Sequence, residues 1–119
     1  MPIAHEFSPD LILISAGFHA ARGDPIGGCD VTPKCFGNLV RMLKNHANGR
    51  IVLASEGGYN VEIIAECAAE CTRALIEKET TPISEVENVD ILQDVDGSVL
   101  RVIADVQFSH KKYWKCFQE

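Results

Sequence analysis

The stretch that decides the fold is SAGFHAARGDPIGG, residues 15–28. It follows the apolar run LILI, and its glycines allow the backbone to approach another group closely. A second stretch of the same kind, SEGGYN at residues 55–60, follows the apolar run IVLA. Each stretch carries one side chain that could take part in catalysis or ligand binding, His19 in the first and Tyr59 in the second, shortly after a predicted strand.

Neither apolar run shows the alternation of a half-buried strand. They predict strands over 11–16 and 51–54 that are buried on both faces and therefore parallel. Between the strands, Thr32 and Pro33 are residue types typical of a helix N-cap and first helical position. Asn48-Gly49 is typical of a left-handed helix end, so a helix is predicted between these signals.

A second helix is predicted after the second strand, with Asn60 as its N-cap. Beyond it, the acids within residues 79–97 predict an irregular surface connection, and renewed helical spacing of apolar residues predicts a tail helix over 98–119. The order strand, helix, strand, helix and tail helix predicts an α/β fold in which helices flank parallel strands.

This order places both glycine-rich stretches at one edge of the sheet. Parallel neighbours are joined by a right-handed crossover, and ligand sites in open parallel sheets lie beyond the carboxyl ends of the strands. His19 and Tyr59 are therefore expected to face one cleft. Asp24, in the turn Gly-Asp-Pro, is expected to organise that turn rather than to do chemistry.

The composition limits the classes of partner. At 119 residues the chain is one domain at most, and its net charge of −6 disfavours direct binding to a nucleic-acid backbone. No apolar stretch approaches the roughly 20 residues that span a bilayer, and the first residues lack the features of a signal peptide. We expect no membrane partner and a location in the nucleus or the cytoplasm.

The five cysteines include no C-x-x-C pair. Cys67 and Cys71 lie four residues apart on a predicted helix and share a face. Two interpretations stay open for them: a metal or redox pair, or small buried hydrophobic residues in a reducing compartment.

The same motifs resemble the C-terminal part of the catalytic domain of zinc-dependent histone deacetylases, class II in particular. The matching residues are Pro9-Asp10, Ser15-Ala16-Gly17-Phe18, Gly23-Asp24-Pro25, Gly27-Gly28, Val31-Thr32-Pro33, Gly49-Arg50 and Glu56-Gly57-Gly58-Tyr59-Asn60, and the tail residues 107–114 resemble the end of class IIb domains. The resemblance implies a partial arginase/deacetylase-like fold. It assigns residues 1–78 to the C-terminal portion of such a domain.

The resemblance also implies a reaction, the hydrolysis of N-acetyl-lysine in proteins by a zinc-bound water. Tyr59 falls on the family's tyrosine that donates to the oxyanion, and Gly57 and Gly58 fall in its substrate loop. The alternative for Tyr59 is an aromatic ring that packs against its own loop. His19 stands where the family has an aspartate that binds Zn²⁺; an imidazole can also bind zinc, but the site then loses a negative charge.

The rest of the family's site has no counterpart in this sequence. Its histidine pair and its Asp-x-His motif are absent, since the four histidines include no His-His and none follows an aspartate by two positions. A catalytic zinc site uses three protein ligands. We therefore expect a truncated or degenerate deacetylase, a pseudoenzyme with little activity alone.

Two alternatives stay open. An active deacetylase results if a longer isoform or a second chain supplies the missing half, and its substrate is then an acetyl-lysine protein. Alternatively, the chain is a non-catalytic interaction module that docks on a protein partner through its sheet edge or tail helix.

Overall fold

The computed structural model describes residues 1–78 and 96–118. The chain divides into two compact units, Pro9–Thr81 and a combination of Met1–Ser8 with Pro82–Glu119. The acidic connection predicted over 79–97 lies outside the described residues, except for Asp96 and Gly97.

From the first strand onward the helices and strands follow the predicted order, and a short helix that was not predicted precedes them. In the described residues they are α1 (Pro2–Phe7), β1 (Ile12–Gly17), α2 (Pro33–Lys44), β2 (Ile51–Gly57), α3 (Val61–Ile76) and α4 (Gly97–His110), with 3₁₀ turns at Phe18–Ala20, Asn45–Ala47 and Lys115–Phe117.

The predicted helix caps of the first unit are confirmed. The Thr32 hydroxyl accepts a hydrogen bond from the Cys35 N–H at 3.2 Å, and Pro33 occupies the first turn of α2. The Asn60 side chain caps α3 in the same way. Asn48 and Gly49 have φ values of 52° and 77°, the left-handed conformation that ends the segment after α2.

The two strands pair in parallel, as predicted, from Ile12 opposite Ile51 onward. The register shifts at the carboxyl end of the sheet, where Ala16 pairs with Ser55 but Gly17 pairs with Gly57. Glu56 is therefore left without a partner in the ladder. Such an irregularity bends a strand and redirects the chain beyond it, and here it lies immediately before the second glycine-rich loop.

The prediction that the strands are buried on both faces is wrong for the part of the chain that the structure describes. One face packs on the core, whereas Leu13 is 72% and Val52 53% exposed on the other. The physical reason is that α2 and α3 cover only one face, and no described element of this unit covers the second. An apolar run therefore indicated the strand correctly but not its surroundings.

The core of the first unit lies between the covered sheet face and the two helices. Phe18 is 1% exposed and its ring meets that of Phe36 edge-to-face, with centroids 5.3 Å apart. Cys67 and Cys71 lie in the same cluster, and burial raises the pKa of both thiols. A neutral thiol is a poor nucleophile and a poor metal ligand, which favours the interpretation of this pair as core residues.

In the second unit, α4 begins as predicted but ends early. Asp96 caps it, since its carboxylate accepts from the Ser98 N–H at 2.7 Å. The tail helix predicted over 98–119 is wrong beyond His110, where the chain turns. Tertiary contact explains the difference: the Glu6 carboxylate accepts hydrogen bonds from the N–H groups of Lys115 and Cys116 at 3.0 and 2.8 Å.

Among the described residues, none of the helices has the length and apolar character needed to cross a bilayer.

The carboxyl end of α3 is held by two cations of α2. The Arg41 guanidinium forms a bidentate pair with the Glu77 carboxylate, at 2.7 and 2.8 Å. The Lys44 ammonium donates to the carbonyls of Ala74, Leu75 and Glu77. These bonds satisfy carbonyls that a helix end leaves without partners and place positive charge where the helix dipole favours it.

We expect Glu77→Gln to lower the stability of the first unit and to flatten its pH dependence. The hydrogen bonds from Arg41 lower the pKa of Glu77 below its ordinary value of 4.5, so the ionised form stabilises the fold. That stabilisation is present above the ordinary pKa and is lost as the pH falls through the lowered one. Urea unfolding at a series of pH values around these two pKa values measures the change in the free energy of unfolding. Glu66→Gln, an exposed substitution on the same helix, is the control, and an equal effect of both would contradict the prediction.

Candidate functional site

His19 lies at the junction of the two strand ends. It is in the 3₁₀ turn that directly follows β1, and its ring lies against the backbone of both strands. A Cβ built on Gly17 would come within 2.6 Å of the ring's Cε1, and one built on Gly57 within 3.0 Å of Nδ1. Glycine at these two positions is therefore what makes room for the imidazole.

The second loop is constrained by a close approach at Gly58. Its φ of 147° lies in a region that favours glycine, and a Cβ there would come 2.5 Å from the Ile64 side chain and 3.4 Å from Phe18 Cβ. Gly57 and Gly58 thus let the chain pass between the start of α3 and the turn after β1.

Asp24 joins the two glycine-rich loops. One carboxylate oxygen, Oδ1, accepts from the N–H groups of Ile26 and Gly27 at 2.9 and 3.0 Å, which organises the turn as the sequence predicted. The other, Oδ2, accepts from the Tyr59 N–H at 2.7 Å. This second bond was not predicted from the sequence, because nothing local indicates a partner 35 residues away.

The environment of Asp24 favours its ionised form. Partial desolvation opposes ionisation, but the backbone N–H groups of Ile26, Tyr59 and Gly27 outweigh it and lower the pKa of the carboxyl below its ordinary value. Asp24 is therefore a carboxylate at neutral pH and accepts all three hydrogen bonds at once.

Asn60 makes a second connection between the loops. Its side-chain amide donates to the Gly23 carbonyl at 3.0 Å, while its oxygen accepts from the Glu62 and Ile63 N–H groups at the start of α3. The residue predicted as a helix cap therefore also holds the first loop.

Tyr59 is 62% exposed. Its backbone is held at two points. The Tyr59 N–H donates to Asp24, and the next residue, Asn60, is attached to the Gly23 carbonyl through its side chain. At this exposure Tyr59 is not part of the buried core. The structure thus brings the two predicted loops to one edge of the sheet, and an exposed phenol lies on one of them.

The described residues do not by themselves fit a catalytic zinc ion. Across residues 1–78 and 96–118, no group of three or more histidine, cysteine, aspartate or glutamate side chains is arranged to hold a metal. His19 is a single nitrogen donor, and a catalytic zinc uses three protein ligands.

We expect Gly27→Ala to be far more disruptive than Gly28→Ala. A Cβ on Gly27 would overlap the His19 carbonyl oxygen, a backbone atom that cannot rotate away. Such overpacking costs about 1–3 kcal/mol or more. A Cβ on Gly28 meets nothing within 4 Å, so its cost is only the strain of a φ of 62°, about 1 kcal/mol. Denaturant unfolding of both variants measures the difference, and equal losses would show that the close approach is wrong.

Comparison with known proteins relates the chain as a whole to one family. A family model described as "Histone deacetylase domain" matches residues 1–75. The chain is 43% identical over 118 residues to Histone deacetylase HDA1 of Saccharomyces cerevisiae and 42% identical over 125 residues to Histone deacetylase 7 of Homo sapiens. These matches cover 99% of this chain but 16% and 12% of the two relatives, so the chain spans a small part of their length.

Solved structures with a similar fold belong to histone deacetylases as well. The crystal structure of the HDA15 HD domain superposes with a TM-score of 0.80 at 36% identity, covering 99% of this chain and 30% of that one. The structure of the histone deacetylase Clr3 gives 0.78 at 30% identity, with coverages of 98% and 18%. The predicted α/β, partial arginase/deacetylase-like fold is confirmed.

Proposed function

Because this chain belongs to the histone deacetylase family, we propose that it carries the tyrosine side of a zinc-dependent site that hydrolyses N-acetyl-lysine in proteins. One observation carries the proposal: an exposed phenol on a loop that two side chains fix at the carboxyl end of a parallel sheet. Ligand sites of parallel α/β proteins lie at that edge.

In this proposal Tyr59 donates a hydrogen bond from its phenol to the oxygen that becomes negative as the amide is attacked. A fixed donor of this kind needs no reorganisation during the reaction and is worth about 10²–10³ in rate. Gly57 and Gly58 lead into the loop that carries the phenol, where their lack of side chains leaves room for the His19 ring and for Ile64. The substrate is an acetylated lysine of a histone or of another protein.

The zinc ion would polarise the acetyl carbonyl and activate a water molecule. His19, at the family's aspartate position, is the one residue of this chain proposed as its ligand. Its imidazole carries no negative charge, and among the described residues it belongs to no group of three or more side chains that could hold a metal. We therefore propose that residues 1–78 act as part of a deacetylase domain and have little activity without further ligands from elsewhere. A nuclear or cytoplasmic location accords with such a substrate.

A second candidate function is a non-catalytic interaction module. It is favoured by apolar side chains that are solvent-exposed on the sheet and on α4. On the sheet these are Leu13 and Val52, and on α4 they are Val99, Leu100, Val102, Ile103, Val106 and Phe108. Apolar patches of this kind often mark contacts with another protein. A partner that binds the chain without any deacetylation would favour this function over the first.

We expect the purified chain to hold far less than one zinc ion per molecule after chelation and zinc repletion. The reason is that His19 alone cannot replace three ligands. Elemental mass spectrometry measures the content, with His19→Ala as the background control. Zinc near one equivalent, lost in His19→Ala, would contradict the prediction and show that His19 shares the metal with further ligands of this chain.

The catalytic role of Tyr59 is tested in a chimera. This chain replaces the 118-residue segment of Saccharomyces cerevisiae Histone deacetylase HDA1 that it matches, so that the recipient supplies the remaining residues. Acetyl-lysine peptide turnover is measured for the chimera and for its His19→Asp form, which restores the carboxylate ligand and is expected to be the more active. Tyr59→Phe should then lower kcat by about 10²–10³ with a smaller change in KM.

A matched control is Tyr113→Phe, which removes the hydroxyl of an exposed tyrosine in the other unit. Loss of activity in both variants, or in neither, would contradict the assignment of Tyr59. If neither the chimera nor its His19→Asp form turns over substrate, the proposed function fails as a whole.

A further inference from the structure

We propose that Asp24 is a positioning residue for Tyr59. The Asp24 carboxylate holds two segments at the same time, the turn that contains Asp24 and the glycine-rich loop that carries Tyr59. The inference rests on the proposed function in one respect, since a fixed phenol matters for catalysis only if Tyr59 donates to the substrate. The geometry itself does not depend on that function.

The two carboxylate oxygens have separate tasks. Oδ1 accepts hydrogen bonds from the N–H groups of Ile26 and Gly27 within the turn. Oδ2 accepts one from the N–H group of Tyr59 in the other glycine-rich loop. Hydrogen bonds to an ionised oxygen are roughly twice as strong as neutral ones. The Tyr59 N–H therefore donates a charge-assisted hydrogen bond to the other loop.

The chain before Tyr59 makes this bond necessary. Gly58 directly precedes it beyond the end of β2, and glycine has intrinsically more accessible backbone conformations than other residues. The hydrogen bond at the Tyr59 N–H selects one of them at the residue whose phenol must be placed. Asn60 anchors the following residue through the Gly23 carbonyl, so both sides of Tyr59 are attached to the first loop.

Aspartate is the side chain that meets both requirements. Asparagine has the same length but a single acceptor oxygen, and its amide would turn N–H groups toward the Tyr59 N–H. Asparagine forms the local turn as well as aspartate does. Asp24→Asn should therefore keep the turn and lose the connection between the loops, whereas Asp24→Ala should lose both.

The test is amide hydrogen exchange of the ¹⁵N-labelled chain, read by NMR at Tyr59, Ile26 and Gly27. In Asp24→Asn we expect exchange at Tyr59 to accelerate roughly tenfold, while exchange at Ile26 and Gly27 changes less than about twofold. In Asp24→Ala all three should accelerate. Asp30→Asn is the matched control, since Asp30 is an exposed aspartate after the same turn, 3.6 Å from Arg22, and should change none of them.

Each outcome decides the inference. Unchanged exchange at Tyr59 in both Asp24 variants would overturn it. Equal acceleration at Tyr59 and at the core amides of β1 would also overturn it, because Asp24 would then support only the general stability of the fold. Because exchange is measured without turnover, an inactive chimera with the expected exchange pattern would refute the proposed function while leaving the role of Asp24 intact.

Discussion

The parallel pairing of β1 and β2 is the constraint on which the rest of the first unit depends. Because the strands run in the same direction, both glycine-rich loops leave the sheet at one edge, although they lie far apart in the sequence. The imidazole of His19 then fits against glycines of both strands, and Asp24 reaches the Tyr59 backbone. An antiparallel arrangement of the same strands would put the two loops at opposite edges.

Local signals in the sequence predicted both strands, α2 and α3 and the caps of these two helices, but they gave no indication of α1. Thr32 and Asn60 cap their helices through their own side chains, and Asn48-Gly49 adopts the left-handed conformation that its residue types favour. These outcomes depend on interactions within a few residues, which a sequence pattern records directly. The same applies to the apolar runs that became β1 and β2, and to the start of α4.

The features that the sequence could not supply depend on tertiary contacts. The bond from Tyr59 to Asp24 joins residues far apart, and the end of the tail helix is decided by Glu6 at the other end of the chain. The exposed sheet face depends on which elements are present to cover it, which an apolar strand does not reveal. For the site, the glycine-rich loops and their meeting at one edge were predictable. The roles of Tyr59 and His19 stay predictions that came from resemblance.

The uncovered face of the sheet also has a thermodynamic consequence. The heat capacity of unfolding and the denaturant dependence of stability both scale with the surface that unfolding newly exposes. Leu13 and Val52 are largely hydrated in the folded chain already, so unfolding adds little apolar hydration there. The plot of the free energy of unfolding against temperature should therefore be less curved than for a chain of the same size whose sheet is buried on both faces. The maximum of that plot should be correspondingly broad.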